Sequence, residues 1–192
     1  ASLWLLVRGG LVSDPRAFIC PSSSDAPDSL TDSTGKFVKP VARGNFRRAR
    51  NLSYSYATPF SNAPGYRMDD TRKSDFAILA DMNPGISRGD DITGPSSRSS
   101  MIEQSKANSN NHNKAGQNVL YADGSVSFER TPYVGVGRSH GVPGDNIYTA
   151  LSATPLNGQT PPADGNGYWS PQIGPAWASD SYLVPTDDEG PQ

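Results

Sequence analysis

Few side chains in this 192-residue sequence are suited to covalent or metal chemistry, and they lie far apart: one cysteine, Cys20, and two histidines, His112 and His140. A cysteine nucleophile needs a histidine close enough to draw off its proton. Cys20 sits instead in the apolar run Phe18-Ile19-Cys20-Pro21, where a small buried core residue is the simpler role. A lone cysteine forms no internal disulfide, and one cysteine with two histidines is too few, at too irregular a spacing, for a zinc framework. His112, Asp81 and Asp123 would converge if the loop before Asp123 folded over a sheet. With Ser22 or Ser53 they would imitate a Ser-His-Asp arrangement, but triads are defined by geometry, and serines are plentiful enough to make such a match cheap. No Gly-x-Ser-x-Gly elbow, P-loop or dinucleotide-binding glycine pattern is present. The expectation is a chain without catalytic residues.

Hard-cation chemistry has more to draw on. Asp81 with Asn83, Asp90 with Asp91, Asp123, and Asp145 with Asn146 offer oxygens of the kind calcium prefers. None has the alternating acidic spacing of a dedicated calcium loop, and Asp and Asn also cap their own backbone in turns. Asp81, Asn83, Asp145 and Asn146 are the candidates for a structural calcium; no other cofactor is expected.

The elements that must position these groups are short. Gly (19) and Pro (17) are abundant and only 34% of residues are apolar, a mixture that favours turns and extended loops over helices. Residues 2–8 predict a short helix capped by Ser2, ended by Gly9-Gly10 and apolar nearly all round, hence buried. Residues 51–57 alternate with Leu52, Tyr54 and Tyr56 on one face, a strand signal. Residues 75–81 form an apolar run stopped by Asn83-Pro84-Gly85, which predicts a central strand covered on both faces. Residues 87–113 read as a long surface loop with one weak helical turn near 101–106. Residues 117–129 predict a hairpin: Asp123-Gly124 suits a two-residue type I′ turn in which both residues take positive φ. Val119 and Tyr121 alternate before it and Val126 and Phe128 after it. His112 is expected to hydrogen-bond across this hairpin and fix the loop before Gln117 and Asn118, with Asp123 and Gly124 as turn formers.

Charge is nearly balanced, 17 basic against 19 acidic residues for a net of −2, which argues against a nucleic-acid partner. The arginines at 43, 47, 48 and 50 read as a solvated helix face. No apolar run of about 20 residues is present to cross a membrane as a helix. The tail, residues 150–192, is rich in Gly and Pro yet carries Tyr168, Trp169, Trp177 and Tyr182. Since disordered segments are poor in aromatics, these rings, with Trp4, are expected to pack on the head or on neighbouring molecules.

Six segments, in order, resemble the planctomycete-type pilin-like proteins, type II secretion pseudopilins with a His…Asp-Gly signature. They are residues 3–8, 18–22, 54–56, 78–84, His112 together with 116–124, and 145–149. The resemblance implies an α+β, mainly β, head domain spanning 1–192, with a small antiparallel sheet, a short N-terminal helix and long Gly/Pro-rich loops. It implies a structural subunit of an extracellular type IV pilus-like or pseudopilus filament on a bacterial surface, assembled as a homo-polymer. The long apolar helix of such subunits is expected upstream of Ala1 or on a separate short hydrophobic chain, the only route to a membrane. The alternative is an extracellular binding module or adhesin using Trp169, Trp177 and Tyr182 on a glycan or surface.

Overall fold

A four-stranded antiparallel sheet organises the chain, in the order β1 (Tyr54–Tyr56), β2 (Ala77–Asp81), β3 (Gln117–Tyr121), β4 (Val126–Glu129). The structure is a computed structural model that describes residues 3–59, 61, 63–85, 92, 95–136, 144–151, 167–168, 175 and 178–184. Two short helices, α1 (Trp4–Arg8) and α2 (Met101–Ser105), a two-stranded ribbon of β5 (Ala150–Leu151) and β6 (Gly167–Tyr168), and 3₁₀ turns at Pro15–Phe18, Pro40–Ala42, Ala49–Asn51 and Asn110–His112 complete the regular elements among the described residues. The expected α+β, mainly β class is thus observed.

The hairpin is present with a different turn. Gly124 alone takes positive φ, +83°, the Gly124 amide donates to the Tyr121 carbonyl, and the Tyr121 amide donates to the Ser125 carbonyl. This is a three-residue loop, a type I turn followed by a left-handed glycine, and not the expected type I′ turn. Asp123 contributes by accepting from the Ser125 amide and hydroxyl, at 2.9 and 2.6 Å. The extra residue pairs Leu120 with Val126 and Asn118 with Phe128. Because a one-residue slip exchanges the faces of a strand, Val126 and Phe128 lie opposite Val119 and Tyr121 rather than beside them.

The two sheet faces differ accordingly. One carries the cross-strand row Ser55, Ala80 and Val119, all sealed, over a core that includes Phe76, Ile92, Tyr148 and Leu183. The other carries the row Tyr56, Leu79, Leu120 and Val126, half-buried except for Val126, which is 65% exposed. In β1 Tyr54 and Tyr56 share one face, as the alternation predicts, and are half-buried, while the deeply buried side chain is Ser55 on the other. The reason is polar: the Ser55 hydroxyl accepts from the Asn83 amide at 2.8 Å and approaches Met82 Sδ.

A second core, with Trp4, Val7, Phe18, Phe46, Leu52 and Met82, seats α1. Trp4 is fully buried, edge-on to Phe46, and its indole N–H donates to the Arg43 carbonyl. It is a core residue and not an interface one. Helix α1 is buried on one side only, since Leu5 is 57% exposed. Leu3 holds the N-cap position without a side-chain bond, while Ser2 lies outside the described residues. The arginine cluster is no helix face either. Arg43 makes a two-pronged ion pair with buried Asp28, at 2.9 and 2.7 Å, and stacks over Trp4.

Candidate functional site

Asp81, the last residue of β2, is the polar centre of the molecule. Its neighbours arrive from three distant parts of the chain. A 3₁₀ turn at Asn110–His112 is started by Ser109, whose hydroxyl accepts from the Asn111 amide. Asn113 and Lys114 then take positive φ, reversing the chain toward β3. Gly116 follows at φ +155°, where an added Cβ would strike the Glu129 carbonyl and the Phe128 ring. Glycine is required there for β3 and β4 to close, and its place sets Asn118 and His112 against Asp81.

The resulting geometry is dense. Asp81 Oδ1 accepts from Asn111 Nδ2 at 3.0 Å. Asp81 Oδ2 accepts from the Asn118 amide at 2.6 Å and from Asn118 Nδ2 at 3.2 Å, and lies 3.1 Å from His112 Nε2. That same nitrogen is 3.1 Å from Asn118 Nδ2 and 3.7 Å from Cys20 Sγ. The His112 ring stands edge-on to Phe128 with centroids 5.5 Å apart. Cys20 and Asp81 are buried, and the His112 side chain is 21% exposed. Burial, aided by the neighbouring Asp81 carboxylate, pushes the Cys20 thiol up, so at neutral pH it keeps its proton.

This arrangement is not a nucleophilic triad. In a triad the base faces the nucleophile with one ring nitrogen and the orienting acid with the other. Here Cys20 and Asp81 both face Nε2, so His112 has no separate nitrogen with which to deprotonate the thiol while Asp81 holds the opposite N–H. Of the three residues that a loop folded over the sheet would bring together, His112 and Asp81 do meet. Asp123 does not, because it lies exposed at the hairpin turn. Ser53 is turned toward Asp25 Oδ2, to which its hydroxyl donates at 2.9 Å. No family model, curated protein or solved structure matches the chain. Its site must be read from its own atoms.

The remaining predicted positions serve as clamps. Asn83 Nδ2 donates to the carbonyls of Tyr148 and Leu183, both at 2.9 Å, and its Oδ1 accepts from the Gly85 amide. Asn83 thus ties β2 to two later segments. Gln117, fully buried, accepts from the Ser109 amide and donates to the Glu129 and Thr131 carbonyls. Tyr148 donates to the Asp81 carbonyl at 2.8 Å, and burial pushes its own hydroxyl well up. Residues 108–111, expected on the surface, are interior apart from Asn110. They are interior because their amides satisfy the carbonyls of 53, 114 and 130. Tyr182 is fully buried, so it packs on the head and presents no interface. Tyr168 lies in β6, and Trp169 and Trp177 fall outside the described residues.

Asp145 and Asn146 form a second polar locus. Asp145 Oδ2 accepts from the Ser181 amide at 3.0 Å and Asn146 Oδ1 from the Tyr148 amide at 3.0 Å. Among the described residues, Asn146 Nδ2, Thr149 Oγ1 and Ser181 Oγ are buried without hydrogen-bond partners, and the Asp145 carboxyl lies against that of Asp180. Burial, then the neighbouring Asp180, pushes the Asp145 carboxyl far up.

Proposed function

We propose that the chain is the head domain of a subunit of an extracellular pilin-like filament, with a structural and not a catalytic role. The single observation that carries this reading is the continuous apolar row Tyr56–Leu79–Leu120–Val126 across all four strands, left half-covered while the row behind it, Ser55, Ala80 and Val119, is sealed across the first three strands. A pilin-like head lays one face of its sheet on a long apolar helix, and a row of this kind suits that contact. Burial of apolar surface on this face, at about 25 cal/mol per Å², would drive assembly without turnover. The residues that carry the resemblance support it, since Cys20, Asp81, Asn83, His112, Asn118 and Tyr148 face one another and brace the sheet. A structural calcium would fall to the neighbouring carboxyl groups of Asp145 and Asp180 rather than to Asp81, whose neighbours include a thiol and an imidazole that calcium does not favour.

Electron microscopy of native surface material tests the reading. Helical fibres containing this chain are expected, and uniformly monomeric material carrying a substrate-dependent activity would overturn it. Val126→Asp, at an exposed position, should leave the fold intact and reduce fibres at least about tenfold, the equivalent of about 1.4 kcal/mol at each contact.

A further inference from the structure

We infer that Cys20, Asp81 and His112 form a binding site for a zinc-type divalent ion. The inference stands apart from the filament reading and needs no polymer. The three donor atoms, Sγ, a carboxylate oxygen and Nε2, all lie within 4.8 Å of one another. Around a tetrahedral zinc, with bonds of about 2.3 Å to sulfur and about 2.0–2.2 Å to nitrogen and oxygen, the ligand edges come to about 3.6 Å for N···S and about 3.3 Å for N···O. The observed 3.7 and 3.1 Å fall on those edges. The third edge, between Sγ and the carboxylate, is within 4.8 Å.

The hydrogen-bond inventory points the same way. His112 Nε2 faces Cys20 Sγ, Asp81 Oδ2 and Asn118 Nδ2 together. A neutral imidazole nitrogen either donates one proton or accepts one, so it serves only part of that company. An ion at the shared focus would serve Sγ, Oδ2 and the Nε2 lone pair together, with the ring proton on Nδ1. Sulfur, imidazole and carboxylate together select zinc or cobalt over calcium or magnesium. A divalent cation with one thiolate and one carboxylate also leaves no net charge in a buried place, which lowers the cost of desolvation. Such an ion would bind residues 20, 81 and 112 into one cross-link, a framework that cysteine and histidine counts alone exclude.

Binding requires the Cys20 thiol to give its proton to solvent, one proton per ion, with no oxidant or reductant. The test is titration of the reduced, metal-stripped full chain with Co²⁺. The expected result is saturation at one ion per chain, with visible bands of tetrahedral intensity, a thiolate-to-cobalt charge-transfer band in the near ultraviolet, and displacement by Zn²⁺. Cys20 is the only cysteine, so that band has one source, and the unsubstituted chain decides the matter even if variants fold poorly. Cys20→Ser should abolish the band and weaken binding more than about 100-fold, beyond what loss of a supporting residue does. Absence of the band in protein whose thiol titrates as free would overturn the site, as would cobalt affinity unchanged in a folded Cys20→Ser.

Discussion

Asp81 and Asp145 are both buried aspartates at the ends of extended segments, yet the fold treats them in opposite ways. Asp81 is surrounded by donors that it can accept from, two asparagine side chains, a backbone amide and an imidazole. Asp145 has the backbone amides of Ser181 and Asn146 and, beside it, a second carboxyl group on Asp180 that outweighs them. Burial of a charged group is costly unless hydrogen bonds or an opposite charge compensate for it. The first site meets that condition; the second does not, and its carboxyl is accordingly pushed far up. The difference shows that depth alone does not say whether a buried acid stabilises a fold; the company around it decides.

The same isosteric change at the two positions should therefore act with opposite sign. Asp81→Asn puts an NH₂ group against Asn111 Nδ2 or the Asn118 amide, leaving buried donors unsatisfied. Urea unfolding should register a loss of about 3–5 kcal/mol, the largest effect expected here, and a loss below about 1 kcal/mol would break the comparison. Asp28 is an intermediate case. Burial works to raise its pKa, but the Arg43 guanidinium and the amides of Arg47 and Leu30 outweigh burial and hold the carboxyl below its usual range. Its stabilisation is present above the unfolded pKa and is lost as pH falls through the folded one. Asp28→Asn should cost about 3 kcal/mol near neutral pH, with the cost shrinking in acid, as thermal melts along a pH series would show.

Asp145→Asn is expected to gain stability, in chelator, by about 1–3 kcal/mol near neutral pH. Because the folded pKa is raised, the folded chain keeps this proton to higher pH than the unfolded chain does. Stability is then complete below the unfolded value of about 3.9 and declines as pH rises through the folded value. Asparagine removes the decline, so the two proteins should converge in acid and separate toward neutrality. A destabilised Asp145→Asn at neutral pH, without added cation, would mean that this carboxylate is compensated as fully as Asp81.

Much of the fold was legible because it rests on local rules. Alternation placed β1 and the β3–β4 hairpin, the apolar run ending at Asn83-Pro84-Gly85 placed β2, and the weak helical turn near 101–106 corresponds to α2. The turn type was less legible, since Asp123-Gly124 suits both a two-residue and a three-residue loop, and only the strand pairing separates them. That single residue of register carries Val126 and Phe128 to the other face. The site was half legible. His112 was expected to brace the loop before Gln117 and was placed with Asp81 only on the condition that the loop folded over the sheet, and Cys20 was read as packing alone, because no local pattern reports a partner 92 positions away. The one available signal was the isolation of a single cysteine among residues that resemble a family.

Composition, period and turn residues by themselves determined a mainly β chain with short strands, a hairpin at residues 117–129 and a nearly balanced charge. These features depend on neighbours in sequence, where propensity and spacing act directly. Which face of β4 is apolar, that Trp4 and Tyr182 are interior, and that Cys20, Asp81 and His112 share one point were decided only by tertiary structure. Each depends on register or on contacts between distant segments, whose free energies are set when the sheet closes.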